Sequence, residues 1–440
     1  MSLPIKPAVA VSAPGKVLLA GGYLVLDRKY TGLVFGLSAR INVIAGTENN
    51  SSESSNSEII VDSPQFLGAQ WRYAYTTASQ DGGIKVSQVQ SETPTSANPF
   101  VETTLNYGLT YINALSKKSI TPARLVILAD NDYYSQSGMQ KSNGSRFAEF
   151  GVTLKDANKT GLGSSAALVT SLTATLLSYY LPTELFDITS ASGKTTLHNL
   201  AQAAHCAAQG KVGSGFDVAA AVYGSCMYRR FSPSILSSVP EAGASGFAEK
   251  LMSVIDKEAW DVEVEGEDLS LPSGVALLMC DVDCGSQTVG MVKKVLAWRA
   301  EDKEQSRQLW DDLQSRNETL ASALKQEDLD VLPAKVESIR ELIRKMSELS
   351  DVPIEPESQT KLLDAITKVD GVYGGVVPGA GGFDALALLV KDDSSTKARL
   401  EEFLAKWSSD TDSKVKLLSV KGEMEGAKRE DLAVYDGWFA

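Results

Sequence analysis

KTGLGSSAALVTSLTATLLSYY, residues 159–180, joins a glycine-rich turn to a stretch whose apolar residues recur at helical spacing. The pattern predicts a helix over residues 164–180 that the glycine loop opens. At such a junction the first backbone N–H groups lack intrahelical partners and the helix macrodipole is positive, so an anion can touch the amides directly. Ser164 and Ser165 add hydroxyls suited to phosphate oxygens or to Mg2+, a hard cation that takes oxygen ligands. A plainer reading makes the glycines a turn and Ser164 an N-cap. Taken alone, the stretch supports the two equally. It is not the familiar P-loop, because no lysine follows its second glycine.

Working outward, residues 8–45 carry short β-branched and apolar runs broken by glycine, which predicts strands joined by tight turns. Residues 46–58 are polar and read as a surface loop, and residues 71–89 as an edge hairpin. A helix is expected over 98–115, a buried strand over 124–130, and irregular chain over 131–158. Past the glycine loop come a helix over 195–209, the segment GKVGSGFDVAAAVYG at 210–224, and a strand over 228–231. A strand over 275–281 precedes helices over 288–300, 303–324, 328–349 and 359–368. Residues 375–390 read as a second glycine-rich loop followed by an apolar strand. Strands mixed with helices in both halves indicate α+β or α/β architecture, with no internal repeat. At 440 residues and 43% hydrophobic content, the chain exceeds what one core usually serves, so two lobes meeting near 230–250 are expected.

The net charge of −13 argues against nucleic acid and anionic membrane as partners, since both need a basic footprint. Any phosphate site must then be local. Four cysteines without a CxxC pair, and only two histidines, His198 and His205, argue against zinc and for reduced thiols. The start MSLPIKPAVAVSAPGK lacks a charged n-region followed by an apolar one, and no apolar run reaches the roughly 18 residues of a membrane span. A cytoplasmic protein is expected. Its oligomeric state is not legible in one chain.

Two further stretches carry glycine at telling places. In SAPGKVLLAGGYLVL, residues 12–26, Lys16 follows a Pro-Gly turn and enters an apolar strand; by itself this is a surface lysine. PGAGGFD, residues 378–384, either brings backbone close to a ligand or is a tight loop. Ser192-Gly193-Lys194-Thr195 looks like the end of a Walker A motif, but Ile188 stands where that motif needs glycine. Lys194 is expected to be a solvated residue at a helix start.

Together and in this order, the three glycine stretches resemble the motifs of the superfamily of galactokinase, homoserine kinase, mevalonate kinase and phosphomevalonate kinase (GHMP kinases), across nearly the whole chain. Within it, SAPGKVLLAGGYLVLD and HNLAQAAHCAAQGKVGSGFDVAAAVYGS, residues 198–225, are similar to the fungal type of phosphomevalonate kinases. The resemblance implies a two-lobed α+β fold, with a ribosomal-protein-S5-like α/β lobe over 1–235 that carries the ATP loop and an α/β-sandwich lobe over 236–440. It also implies ATP with Mg2+ as cofactors and ATP-dependent conversion of (R)-5-phosphomevalonate to the 5-diphosphate, with ADP released. That step lies in the mevalonate pathway to isopentenyl diphosphate, isoprenoids and sterols.

Residue by residue, the resemblance places Gly161, Leu162, Gly163, Ser164, Ser165 and Ala166 around the ATP phosphates beside Lys159, with Ser165 as first choice for Mg2+. Asp217 matches the catalytic aspartate and Lys16 the lysine that pairs with it. Tyr23, Lys211, Ser214, Gly215, Gly379, Ala380, Gly381 and Gly382 are expected beside the substrate, and Ser286, ahead of a helix, on its phosphate. Arg229 and Arg230 are read as solvated surface charge. One departure stands out: mevalonate kinases carry a glutamate Mg2+ ligand upstream of their SGxD motif, whereas AAHCAAQGKVGSGFD here has no carboxylate there. His205 or Cys206 falls near that place, so the metal rests on Ser165, ATP phosphates and water, with Asp217 as a further option. Gly22 likewise stands where many members carry glutamate. A mevalonate kinase, another small-molecule kinase of this superfamily, the related diphosphomevalonate decarboxylase, and a non-catalytic ATP sensor are the alternatives.

Overall fold

Long runs of β-branched and apolar residues at the start of the chain form an antiparallel pair, β1 (Val9–Ala20) and β2 (Thr31–Gly46), whose residues are almost all buried. In this computed structural model, residues 6–47, 57–89, 95–135, 145–266, 269–283, 290–411 and 413–439 are described. After β2 come β3 (Glu58–Asp62), the hairpin β4 (Gln70–Thr77) and β5 (Ile84–Gln88), α1 (Pro99–Ser116), β6 (Ala123–Ala129), α2 (Ser164–Tyr180), α3 (Ala191–Gln209), α4 (Phe216–Tyr223) and β7 (Cys226–Arg229). The second half holds α5 (Phe247–Asp256), β8 (Glu263–Glu265), β9 (Val275–Asp283), α6 (Met291–Glu301), α7 (Lys303–Lys325), α8 (Leu332–Ser350), α9 (Glu357–Ile366), β10 (Val372–Val376), β11 (Ala385–Lys391), α10 (Ser394–Asp410), β12 (Lys414–Glu423) and β13 (Lys428–Arg429).

The strands follow the order β10-β11-β9-β12-β2-β6-β3-β4-β5, with β1 beside β2 and β7 linking β2 to β8. Pairing is antiparallel except between β3 and β6. Helices and a largely antiparallel sheet make the α+β class. β8 pairs with β7, and a short seam, Gly422 opposite Leu37 and Glu423 opposite Gly36, joins β12 to β2. Beyond it the chain returns to the first half: β13 pairs with β1, and the Tyr435 hydroxyl donates to Asn42 Oδ1 at 2.9 Å.

Helix α2 is buried on nearly every side, as a central helix should be. Two of its buried hydroxyls turn back on the helix: Thr175 Oγ1 donates to the Ser171 carbonyl at 2.8 Å and Ser171 Oγ to the Leu168 carbonyl at 3.2 Å. Several expectations need correction. Within residues 8–45, expected as strands joined by tight turns, Leu24–Leu26 form a 3-10 turn. Helix α3 begins four residues earlier than expected, because Ser190 caps it by accepting from Gly193 N at 2.9 Å. Ala191–Lys194 thus form its first turn. β10 precedes the last glycine loop, and α5, α10 and β12 were not anticipated. α10 buries only Thr396, Leu400 and Leu404, a stripe too narrow to stand out from its charged neighbours.

Candidate active site

Strand β1 and the glycine loop are tied together by Lys16 N donating to the Leu162 carbonyl at 2.9 Å. Gly163, with φ of 84°, is the N-cap of α2, and no side chain caps the helix. The N-cap reading for Ser164 therefore fails: Ser164 is the first helical residue, and the first-turn amides are left for an anion. A Cβ on Gly163 would lie 2.8 Å from Cε of Lys16. Only glycine lets the lysine stem cross the loop at the helix start. Within the loop Leu162 and Ala166 are buried, while Ser164 and Ser165 are half-buried.

The Lys16 ammonium lies 5.7 Å from the centroid of Phe216, the first residue of α4. Burial lowers its pKa from the ordinary 10.5, and the Asp217 carboxylate acts against that shift. Asp217 sits in the first turn of α4, where Oδ1 accepts from Val218 N at 3.0 Å. Between this carboxylate and the loop stands His205 of α3. Its Nε2 is 3.2 Å from Ser165 Oγ and 3.9 Å from Asp217 Oδ2. Burial lowers the imidazole pKa, again opposed by Asp217. One strand and three helices thus bring an uncapped helix end, a cation, a hydroxyl and a carboxylate to one place, a set suited to phosphoryl transfer.

The pattern described as GHMP kinases N terminal domain matches residues 144–225, and that described as GHMP kinases C terminal matches residues 320–409. The phosphomevalonate kinase of Gibberella zeae is 63% identical over 98% of this chain and 99% of its own length. The chain belongs to the phosphomevalonate kinase family. The corresponding protein of Aspergillus fumigatus is 46% identical over 99% of this chain and all of its own length. Among solved structures, Streptococcus pneumoniae phosphomevalonate kinase in complex with phosphomevalonate and AMPPNP matches with a TM-score of 0.63 at 17% identity, over 94% of this chain and 100% of that one. That likeness is one of fold.

The kinase's third glycine stretch docks on the first. Gly379 N donates to the Leu18 carbonyl at 3.1 Å, and the Tyr23 hydroxyl donates to the Ala380 carbonyl at 2.6 Å. Tyr23 is buried, and burial raises its pKa. Gly382 N donates to the Ile354 carbonyl at 2.9 Å, and Gly381 N to that of Pro378 at 3.1 Å. A Cβ on Gly22 would lie 2.2 Å from the Gly379 carbonyl oxygen. Gly22 therefore stands where it does because two backbones meet there. Gly22→Ala is expected to lower stability by about 1–3 kcal/mol through overpacking and to raise KM for the acceptor more than for the nucleotide. Thermal melting and initial-rate kinetics read both, and an unchanged melting temperature would contradict the docking.

Arg230 corrects the surface-charge reading. Its guanidinium donates to the carbonyls of Leu26 at 2.8 Å, Gly213 at 2.7 Å and Val212 at 3.2 Å. The Tyr228 hydroxyl donates to the Ser214 carbonyl at 2.7 Å. Together they hold the turn that leads through Ser214 and buried Gly215 to Asp217. Arg229 pairs with Glu263 at 2.6 Å and reaches the carbonyls of Arg28 and Lys29. A paired arginine dipeptide at the end of a strand carries no sequence signal for backbone partners, so the role was not legible.

Lys159 is exposed, its backbone bridged to Tyr134. Lys211, also exposed, lines a cavity of about 550 Å3 with Lys85, Glu102, Tyr107, Cys206 and Glu241. Neither lysine is joined by a hydrogen bond or ion pair to the loop. Ser286 lies outside the described residues. Among the described residues no cluster of three or more histidine, cysteine, aspartate or glutamate side chains could hold a metal, and no helix is long and apolar enough to cross a membrane.

Proposed function

We propose that this kinase transfers the terminal phosphoryl group of ATP to (R)-5-phosphomevalonate, giving (R)-5-diphosphomevalonate and ADP. The observation that carries the reading is the meeting of Lys16, Ser165 and Asp217 around the uncapped start of α2, in a chain 63% identical to a phosphomevalonate kinase along its whole length. The amides of residues 163–166 cradle the nucleotide phosphates. Lys16 places a cation between two anions that would otherwise repel, and its stem is held by Gly163. Lys159 and Lys211 add positive charge around the approach, and Tyr23 with residues 379–382 walls the acceptor side.

The acceptor is a phosphate monoester whose second pKa is about 6, so at neutral pH it is already largely dianionic. No base has to remove a proton from it. Asp217 instead orients the acceptor and holds Lys16 in its charged form. The donor set suits Mg2+, which binds few protein ligands and keeps waters and substrate phosphates: Ser165 Oγ is the protein oxygen at the loop, with Asp217 nearby. When bound, the ion neutralises charge on the nucleotide phosphates. The two-lobe division at 235/236 puts these groups on the first lobe and the third glycine loop on the second. The cytosol is the proposed compartment, in keeping with Cys206, Cys226 and Cys280, which are buried and free.

An ADP-release assay with phosphomevalonate, mevalonate and homoserine as separate acceptors tests the reading. Turnover is expected with phosphomevalonate alone. Turnover with mevalonate alone would overturn the assignment, and nucleotide binding without any turnover would favour a sensor.

A further inference from the structure

The imidazole of His205 lies where three helices meet, and no step above uses it. It is 1% exposed, and a polar side chain so deeply buried keeps its place through its partners. Those partners are Ser165 Oγ at 3.2 Å on α2, Asp217 Oδ2 at 3.9 Å on α4 and the Gln209 amide nitrogen, 2.7 Å from Nδ1 and 3.0 Å from Nε2. The Phe100 ring, 5.7 Å away and at 31° to the imidazole, limits its tilt.

His198, on the same helix, supplies the contrast. It is fully buried, its Nε2 has no hydrogen-bond partner, and its Nδ1 meets only the adjacent Asn199 at 3.1 Å. Its surroundings are the rings of Tyr223 and Trp260. His198 packs; of the groups near His205 Nε2, Ser165 and Asp217 belong to the transfer site, and the third, the Gln209 amide nitrogen at 3.0 Å, is on its own helix.

We propose that His205 is a positioning residue that couples Ser165 of the phosphate loop to Asp217, so that hydroxyl and carboxylate take up their places together. This rests on the phosphoryl transfer assigned above. With Nδ1 accepting from the Gln209 amide, Nε2 carries the proton, which Ser165 Oγ accepts and the Asp217 carboxylate faces. Donated to Ser165 Oγ, it leaves the serine's own proton and second lone pair directed toward other groups. The 3.9 Å to Oδ2 is longer than a hydrogen bond, and such contacts tighten when substrates enter. The site thereby gains a link between loop and aspartate that does not need a carboxylate at this position of α3.

The test is kinetics of the full chain carrying His205→Ala, His205→Phe, His205→Gln, Ser165→Ala, or His205→Ala with Ser165→Ala. The alanine and phenylalanine variants are expected to lose about 10–100-fold in kcat, the usual cost of removing a group that orients a reacting one, with KM for both substrates within about threefold. Glutamine, whose amide nitrogen reaches the place of Nε2, restores most of the rate. The double variant is no slower than Ser165→Ala, since the two act as one unit. A glutamine variant as slow as alanine, or losses that multiply in the double variant, would overturn the proposal. His198→Phe, the folding comparator, shifts melting temperature and not kcat. Independently of turnover, the His205 ring 15N resonances shift in both Ser165→Ala and Asp217→Asn; resonances unmoved in both overturn the coupling. A wild type inactive on phosphomevalonate instead sinks the assigned reaction, and the 15N measurement then still decides the coupling.

Discussion

Lys16→Met lowers kcat by about three orders of magnitude and leaves a protein that melts no lower than the wild type. Removing a cation that screens a transferring phosphoryl group costs about 10²–10³-fold or more in comparable sites, and here the acceptor brings its own negative charge. Methionine preserves the apolar stem that crosses Gly163 and removes only the charge. With the nucleotide held chiefly by loop amides, as proposed, affinity for AMPPNP is expected to stay within a fewfold, which calorimetry reads separately from kcat.

The stability half follows from the sign of the pKa shift. In the folded state Lys16 has a pKa below its ordinary 10.5, with burial the larger cause and Asp217 opposing it. Between the lowered value and 10.5 the unfolded chain binds the extra proton, so this residue's contribution to stability rises with pH across that window. Below the window the full cost of burying the charge is present. Methionine removes that cost at neutral pH, and the site trades stability for activity. A kcat within threefold of wild type would remove Lys16 from the mechanism; a large fall in melting temperature would show that its charge supports the fold.

Asp217→Asn is the second large effect, a kcat loss of about 10²-fold or more with nucleotide affinity largely kept. General-base removal typically costs 10²–10⁴-fold, but a dianionic acceptor needs no base, so the loss comes from misplaced acceptor and an altered Lys16. The pH profile separates these causes. Asp217 raises the Lys16 pKa; without it that pKa falls, and the alkaline limb of kcat moves to lower pH. If Asp217 were a base, the variant would instead lose the acid limb of the profile. Near-wild-type kcat would end its catalytic role.

Much of the fold was legible because its signals are local. The helix over 164–180 was placed to the residue, and 98–115 nearly so, from apolar spacing alone. The hairpin β4–β5 lies at the end of the sheet as alternation predicted. The missed elements differ in kind: β12, KVKLLSVKGE, carries the lysine–apolar alternation of a half-buried strand and was legible in the sequence, whereas α10 hides three buried residues among charges. Nor could a start four residues early be read for α3, whose cap, Ser190, is one of several serines and threonines in that turn.

The site divides in the same way. The sequence by itself determined the glycine turn that opens α2, the placing of Asp217 behind Gly215 and of Lys16 behind Pro14-Gly15, and through motif order the kinase family. These rest on residues within a few positions of one another, where backbone conformation and helical period act directly. Only the tertiary structure decided that Lys16 crosses Gly163, that Gly22 faces Gly379, that Arg230 holds the turn before Asp217, and that His205 stands between Ser165 and Asp217. Each of these is a contact between elements distant in the chain. The register of β1 on β2 and the packing of α2, α3 and α4 against one another set such contacts, and no local pattern encodes which backbone a guanidinium or an imidazole will meet.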